Sequence, residues 1–161
     1  MKHDSIEDDP LSLRVGQPAD VEPLLRKYGL DHFTEGGFTE FAEFDLERAV
    51  VEMTKQVARD DTPLAIASIN GEDVGWISWT VMHIFTTKPI AVLWTIYVAP
   101  EHRKSLLGRK LVRGAINVAK AEGACAFFAT VAPTSLGGQA LCRIFESFDF
   151  KPMGGAFFRG L

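Results

Sequence analysis

Residues 96–111 combine residue types and spacing that suit the binding of a phosphate-containing ligand. An apolar run ends at Pro100, and the basic residues Arg103, Lys104 and Arg109 follow where an amphipathic segment begins. The first turn of a helix offers unpaired backbone N–H groups and a partial positive charge, which attract anions. The segment therefore predicts a pyrophosphate site. The alternative is an ordinary strand-to-helix connection with solubilising charges, and these residues alone leave both interpretations open.

Charge is concentrated in the same part of the chain. The 161 residues include 17 Lys and Arg against 21 Asp and Glu, for a net charge of −4. Six of the basic residues and no acidic one lie between His102 and Lys120. An acidic protein with one basic segment favours a local anion site over a general nucleic-acid surface. A solvated basic helix face is the alternative.

The periodicity of apolar residues indicates the elements that position this segment. Alternating or continuous apolar runs predict strands at residues 11–15, 64–69, 74–85, 91–98 and 124–131, with a terminal β segment from residue 150. Apolar spacings of three and four predict helices at residues 18–28, from residue 46 to an end near residues 60–63, at 107–122 and at 136–148. Asn70-Gly71 suits a tight hairpin turn, and Gly29 is expected to end the first helix. The order β-α-α-β-β-β-α-β-α-β predicts an α/β (α+β layered) fold with one mixed sheet flanked by helices.

Length and composition predict one domain. Hydrophobic residues make up 47% of the chain and charged residues 24%, as in ordinary globular proteins. Residues 1–10 are polar and acidic, so we expect a flexible tail before a single domain at residues 11–161. The longest apolar run, residues 90–100, is shorter than the ~20 residues that span a bilayer. The first residues also have no apolar signal-peptide region, so a cytoplasmic location is expected.

Cysteine and histidine usage predicts neither a disulfide framework nor a metal site. The chain has two cysteines, and Cys125 lies within an apolar run, so we expect a buried strand thiol there. Cys142 lies in a predicted helix and is expected to serve packing. The four histidines are scattered without the spacing typical of metal ligands.

Several motifs in order resemble those of one enzyme superfamily. The series Val98-x-Pro100-x-x-Arg103, followed by Gly108 and Leu111, resembles motif A of the GNAT acetyltransferases. Further resemblances lie in the opening strand and helix, the hairpin and the late helix: Leu13-Arg14-Val15, Pro18-Ala19-Asp20, Asn70-Gly71, Val74-Gly75-Trp76-Ile77 and Phe145 to Phe150. Together they cover residues 11–161. Some acetyltransferase-like proteins encoded by bacteriophages have a similar Arg-x-Ser loop and Gly-Gly-x-Phe ending, here residues 103–105 and 154–158.

The resemblance implies a GNAT fold and acetyl-coenzyme A as acyl donor. Backbone groups at the strand end would hold the pantetheine arm, and amides of the following loop would hold the pyrophosphate. The implied cofactor-binding residues are Ile96, Tyr97, Val98, Arg103, Lys104, Ser105, Leu106, Leu107, Gly108 and Arg109. The strands at residues 91–98 and 124–131 would part where the thioester enters. A backbone N–H near Val98 would then polarise the thioester carbonyl.

Three positions depart from the family's pattern. Leu106 replaces the first glycine of motif A, and glycine would allow a closer approach to phosphate. Phe145 stands where many relatives have a tyrosine that acts as general acid, and Gly138 stands near the usual asparagine. The fold and donor predictions survive these changes, but a standard catalytic apparatus does not follow.

The implied reaction is direct attack of a primary amine on acetyl-coenzyme A in a ternary complex, which makes the protein an N-acetyltransferase. The amine must lose a proton, so a base is expected. His83 is the first candidate, followed by Glu35 and Glu40, and Tyr97 is a candidate acid. Each also has a purely structural interpretation: a satisfied strand-end histidine, solvated glutamates and a core aromatic.

The acceptor and partners follow from charge. Residues 1–61 carry 15 acidic and seven basic side chains, so we hypothesise a cationic small-molecule or protein amine. Aromatic residues could line its alkyl part, namely Phe33, Phe38, Phe41 and Trp94. The alternative is that the acidity only confers solubility. A homodimer is a further candidate assembly, whereas nucleic acid, membrane and metal are not expected. The competing function is a non-catalytic GNAT-fold module that binds a protein or serves an assembly.

Overall fold

A computed structural model describes residues 11–131 and 136–153 of the chain. Its strands form one mixed sheet in the order β1-β2-β3-β4-β5: β1 (Leu11–Val15), β2 (Leu64–Ile69), β3 (Glu72–Met82), β4 (Ile90–Val98) and β5 (Phe127–Phe128). The pairs β1–β2, β2–β3 and β3–β4 are antiparallel, and β5 is parallel to β4. The longer helices are α1 (Val21–Glu35), α2 (Leu46–Val57), α3 (Leu107–Ala121) and α4 (Leu136–Glu146).

The predicted α/β class and the order of its elements are confirmed as far as α4. Residues 150–153 form no strand. The rest of the predicted terminal β segment lies outside the described residues, as do the predicted tail at residues 1–10 and the Gly-Gly-x-Phe ending. The β2–β3 hairpin turns at Asn70-Gly71 as expected, with φ angles of 51° and 81°.

The predicted end of the first helix was wrong. The helix α1 continues through Gly29 to Glu35. A Cβ atom at Gly29 would lie 2.8 Å from Phe44 Cζ, so the glycine is required for close packing and not for helix termination. The chain leaves the helix at the next pair of glycines, where Gly37 has a φ of 78°.

The sheet has α1 on one face and α3 on the other. Side chains alternate between the faces of a strand, so neighbours on β3 point to different helices. Trp76 contacts Tyr28 of α1, with ring centroids 6.5 Å apart. A Cβ atom at Gly75 would instead lie 3.5 Å from Leu107 Cδ2 of α3. The core therefore has two layers, and residues of β4 can contact either one.

The fifth strand is much shorter than predicted. Instead of a buried strand at residues 124–131, only Phe127 and Phe128 pair with β4. Cys125, predicted to be buried, is exposed. The apolar composition indicated the strand but not its burial, because β5 lies at an edge of the sheet in the described part of the chain.

Candidate functional site

The sheet opens between β4 and β5. The two strands pair only at Ala91 with Phe127 and at Val92 with Phe128. Beyond Val92, β4 continues to Val98 with no paired strand on that side among the described residues. This opening, here called the cleft, agrees with the parting that the resemblance implies for these strands.

A bulge in β4 lies where the cleft begins. On β3, Trp79 pairs with Leu93, whereas the adjacent Ser78 pairs with Thr95. Trp94 is therefore an extra residue on β4, and its side chain is 45% exposed. A bulge of this kind interrupts the ladder and redirects the residues that follow it.

Beyond the bulge, backbone groups of β4 point into the cleft. The Ala99 N–H donates to the Val74 carbonyl at 2.8 Å, so Ala99 faces β3. Backbone direction alternates along a strand, which turns the N–H and C=O groups of Ile96 and Val98 away from β3. The Val98 carbonyl indeed accepts a hydrogen bond from Arg103 Nε at 2.8 Å. The other groups, the N–H and C=O of Ile96 and the N–H of Val98, form a hydrogen-bonding edge that an extended ligand could use.

The cleft leads to the N-terminus of α3. The Ser105 hydroxyl accepts a hydrogen bond from the Leu107 N–H at 3.2 Å. The N–H groups of Gly108 and Arg109 also lie in the first turn, where a helix provides no acceptor of its own. Leu106 has a φ of −77°, so leucine in place of the family's glycine requires no backbone strain. This first turn can present amides to an anion.

Side chains of the same turn have other roles. Leu107 is buried, and a Cβ atom at Gly108 would lie 3.0 Å from Ile144 Cδ1, so Gly108 lets α3 approach α4. The Arg109 guanidinium lies 5.5 Å from the centroid of the Phe148 ring. These predicted cofactor-binding residues therefore have only backbone groups to offer, except that Arg109 also carries a charge nearby.

The Arg103 side chain folds back against the end of β4. Its Nη2 donates to both Glu35 carboxylate oxygens at 2.7 Å, and its Cζ lies 5.5 Å from the centre of the Tyr97 ring. Glu35 is the last residue of α1. The structure thus places Glu35, Tyr97 and Arg103 together, and Glu35 is the ion-pair partner of an arginine in the loop.

Tyr97 belongs to an aromatic cluster beneath this ion pair. Its ring lies 4.9 Å from Trp76, 5.4 Å from Tyr28 and 5.6 Å from His32, centroid to centroid. The Tyr97 hydroxyl is buried and has no hydrogen-bond partner among the described residues. Burial, followed by the negative charge of Glu35, raises the pKa of Tyr97 to about 12. The predicted acid is therefore a core aromatic whose hydroxyl is withdrawn from the cleft.

His32 was not predicted, yet it contacts β4 directly after the bulge. Its Nε2 lies 2.7 Å from Thr95 Oγ1. Burial, with a smaller effect of the Arg103 charge, lowers the pKa of His32 to about 4, so the imidazole is neutral at neutral pH. The sequence signal was the spacing of Tyr28, His32 and Glu35 on one helical face, which the expected helix end at Gly29 concealed.

His83 lies away from these groups. It follows Met82, which pairs with Ile90 at the end of the hairpin where β4 and β5 are still close. Its Nδ1 is 3.5 Å from the Thr86 carbonyl oxygen. The first catalytic candidate is therefore not brought to the cleft. The sequence indicated a histidine at a strand end but did not specify the register of the strands.

The predicted acceptor aromatics are partly assembled. Phe33 contacts Phe38 at 5.6 Å and Phe44 at 5.4 Å between ring centroids. Phe38 and Phe41 are half exposed, and Glu40 lies in the exposed 3₁₀ turn between them.

The late helix contributes no tyrosine. Phe145, in the position of that residue, is buried and contacts the Phe150 ring at 4.8 Å. Gly138 lies within α4. The position of the family's usual acid is thus occupied by Phe145, whose ring carries no hydrogen-bond donor.

The structure thus combines a mixed sheet that parts between β4 and β5 with a helix N-terminus beside the parting, where an extended anionic ligand could bind. Residues 21–146 match the Acetyltransferase (GNAT) family, and the chain belongs to this family. No curated protein matches the chain.

Solved structures show the same fold at low identity. An aminoglycoside acetyltransferase from an uncultured soil metagenomic sample, in complex with trehalose, is 16% identical over 96% of this chain and 98% of its own, with a TM-score of 0.70. Aminoglycoside N-acetyltransferase AAC(6')-Iy in complex with CoA is 12% identical over 92% and 93%, with a TM-score of 0.72. A transcriptional regulator from Bacillus halodurans C-125 is 18% identical over 94% and 99%, with a TM-score of 0.74.

Across residues 11–131 and 136–153, no helix is long and apolar enough to cross a membrane. In the same ranges, no group of three or more His, Cys, Asp or Glu side chains could hold a metal ion. The cytoplasmic location, the partners and the bacteriophage likeness stay predictions.

Proposed function

We propose that the protein is an N-acetyltransferase that uses acetyl-coenzyme A and a primary amine, which attacks directly in a ternary complex. The observation that carries this proposal is the cleft. Its β4 edge points the backbone groups of Ile96 and Val98 away from β3, and it leads to the first turn of α3. Family membership supports the same activity.

The residues present suit the donor. Backbone groups of Ile96 and Val98 would hold the pantetheine arm, and the amides of Gly108 and Arg109 would hold the pyrophosphate. Lys104 is exposed in the connecting loop and would add a full positive charge. Bound acetyl-coenzyme A would supply the acyl thioester that the amine attacks.

The side chains and backbone groups of the cleft would orient the reactants more than they would transfer protons. A thiolate whose conjugate acid has a pKa of about 8.5 is weakly basic, so it can leave without a side-chain acid, and Phe145 is compatible with turnover. Next to the bulge, His32 holds the Thr95 hydroxyl. A bound amine would lose its proton to solvent, because burial lowers the pKa of His32 to about 4 and leaves its imidazole a weak base.

We propose a cationic amine as acceptor. The acidic residues of the first third of the chain include Glu35 and Glu40, which lie at the end of α1 and in the following turn. Two proteins of similar fold are named as aminoglycoside acetyltransferases, and aminoglycosides carry several amino groups. Replacing Glu40 by Gln should weaken acceptor binding, and an unchanged KM for the acceptor would oppose this assignment.

Calorimetric titration with acetyl-coenzyme A tests the donor site. Lys104→Ala should weaken binding by up to about fivefold, the value of one exposed charge contact. Lys120→Ala is the matched control, because Lys120 lies in the last turn of α3 and should leave the affinity unchanged. No detectable binding by the native protein would refute the proposal.

A non-catalytic GNAT-fold module is the second candidate function. The observation that favours it is the absence of a side-chain acid at the cleft within the described residues: Phe145 has no donor, and the Tyr97 hydroxyl is buried. Thiol release from acetyl-coenzyme A, measured with a panel of amines, separates the two functions. Donor binding without thiol release above background for any amine would favour the module.

A further inference from the structure

One ion pair stands at the end of the cleft, and the proposed function assigns it no role. Arg103 joins Glu35 through Nη2 and the Val98 carbonyl through Nε, at 2.7 and 2.8 Å. A Cβ atom built on Gly137 would lie 3.9 Å from Glu35 Oε2. The pair therefore stands where β4, the end of α1 and the beginning of α4 meet.

The position of Glu35 favours a cation beside it. Glu35 is the last residue of α1, where the helix dipole is negative and a carboxylate is unfavourable. The neighbouring His32 is neutral at neutral pH and supplies no compensating charge. Arg103 supplies that charge, and its side chain is 33% exposed, so solvent screens the pair only in part.

The same guanidinium belongs to the loop that joins β4 to α3, where the donor's phosphates are expected. Carboxylates and phosphates bind the same N–H groups of arginine. While Glu35 and Val98 hold Arg103, fewer of its donors are available to a phosphate, and its charge is partly neutralised. Glu35 and a phosphate ligand therefore compete for Arg103.

We propose that Glu35 is a positioning residue that restrains Arg103 and thereby limits the affinity of the protein for its acyl donor. The inference rests on the proposed function, because the competing ligand is the donor's phosphate group. It assigns to α1, which contributes no donor-binding residue, a direct influence on donor affinity.

A double-mutant cycle tests this coupling. Coenzyme A, without an acyl group, is titrated calorimetrically into the native protein, Glu35→Gln, Arg103→Ala and the double variant. Glu35→Gln should tighten binding about two- to fivefold, the range for loss of a partly exposed ion pair. Arg103→Ala should weaken binding. In the Arg103→Ala background, the Glu35 substitution should change Kd by less than about 1.5-fold, because the coupled group is gone.

Two results would overturn the inference. Equal tightening in both backgrounds would mean that Glu35 acts only as a negative charge near a polyanion. Weaker binding by Glu35→Gln would mean that Glu35 organises Arg103 for phosphate binding instead of restraining it. Glu43→Gln removes the same charge from an exposed position eight residues further on and should leave Kd unchanged.

One further readout separates folding from function. Thermal unfolding of each variant reports any loss of stability, and a merely structural pair would show coupling there without coupling in Kd. If the native protein does not bind coenzyme A, the proposed function fails and the inference fails with it. If the native protein binds but the cycle shows no coupling, the inference alone fails.

Discussion

Adding one methyl group at Gly75 would test the close approach of β3 to the part of β4 that borders the cleft. Gly75 pairs with Val98 across these strands. A Cβ atom there would lie 2.7 Å from the Tyr97 carbonyl oxygen and 3.4 Å from Val98 Cα. Both atoms belong to the backbone, so no side-chain rotation can relieve the contact in Gly75→Ala. The strands must separate beside Ile96 and Val98.

The expected cost follows from this contact. Overpacking a well-packed site costs about 1–3 kcal/mol, and a backbone clash belongs in the upper half of that range. Replacing glycine by alanine restricts the unfolded chain and returns about 0.4–1 kcal/mol. Gly75→Ala should therefore lower the free energy of unfolding by about 2 kcal/mol. With an m-value of about 2 kcal/mol/M, the urea midpoint falls by about 1 M.

The assay is urea unfolding combined with acetyl-coenzyme A titration of the folded variant, whose affinity should also fall. Gly114→Ala is the matched control on α3, where a Cβ atom would lie 3.7 Å from Leu13 Cδ1, an ordinary contact. Alanine there should stabilise the protein by up to about 1 kcal/mol. If Gly75→Ala unfolds within about 0.5 kcal/mol of the native protein, the reasoning from strand approach is refuted.

Two further predictions concern ionisable groups. Because the pKa of His32 is lowered to about 4, the unfolded chain binds a proton there first, and stability should fall as pH drops from about 6.5 toward 4. His32→Gln should flatten this slope in urea unfolding, and an unchanged slope would contradict the assignment. Arg14 donates to Asp20 at 2.9 Å, and this bond holds the pKa of Asp20 below its usual range. The resulting stabilisation is present above about pH 4 and is lost as pH falls through the lower folded-state pKa. Arg14→Gln should therefore cost up to about 1 kcal/mol at neutral pH and nothing in strong acid; an equal loss in acid would oppose it.

Elements whose formation depends on neighbouring residues alone were predicted well from the sequence. The helix α2 was predicted from its apolar spacing, although it ends at Val57 and not near Asp60 as expected, and Asp45 accepts a hydrogen bond from the Arg48 N–H at its start. The Asn70-Gly71 turn depends on backbone preferences of two residues. Gly29 failed as a signal because a glycine required for packing looks the same in sequence as one required for termination.

The site was predictable in its loop but not in its contacts. The motif around Pro100 and Gly108 indicated the strand, the turn and the helix N-terminus. The pairing of Glu35 with Arg103 joins residues 68 positions apart, and that of His32 with Thr95 joins residues 63 apart. Such contacts depend on how α1 crosses the sheet, which periodicity does not specify.

The extra residue at Trp94 decides whether the odd- or the even-numbered residues of β4 point their backbone groups into the cleft. Before it, the odd-numbered Ala91 points its N–H toward the β5 side, where it donates to the Ala126 carbonyl at 2.9 Å. After it, the even-numbered Ile96 and Val98 have that direction. Deleting one residue here would shift the phase of the strand and return both groups to the β3 ladder. Substitutions at Trp94 preserve that phase, so the length of this segment is a stricter requirement on the site than its side-chain identity.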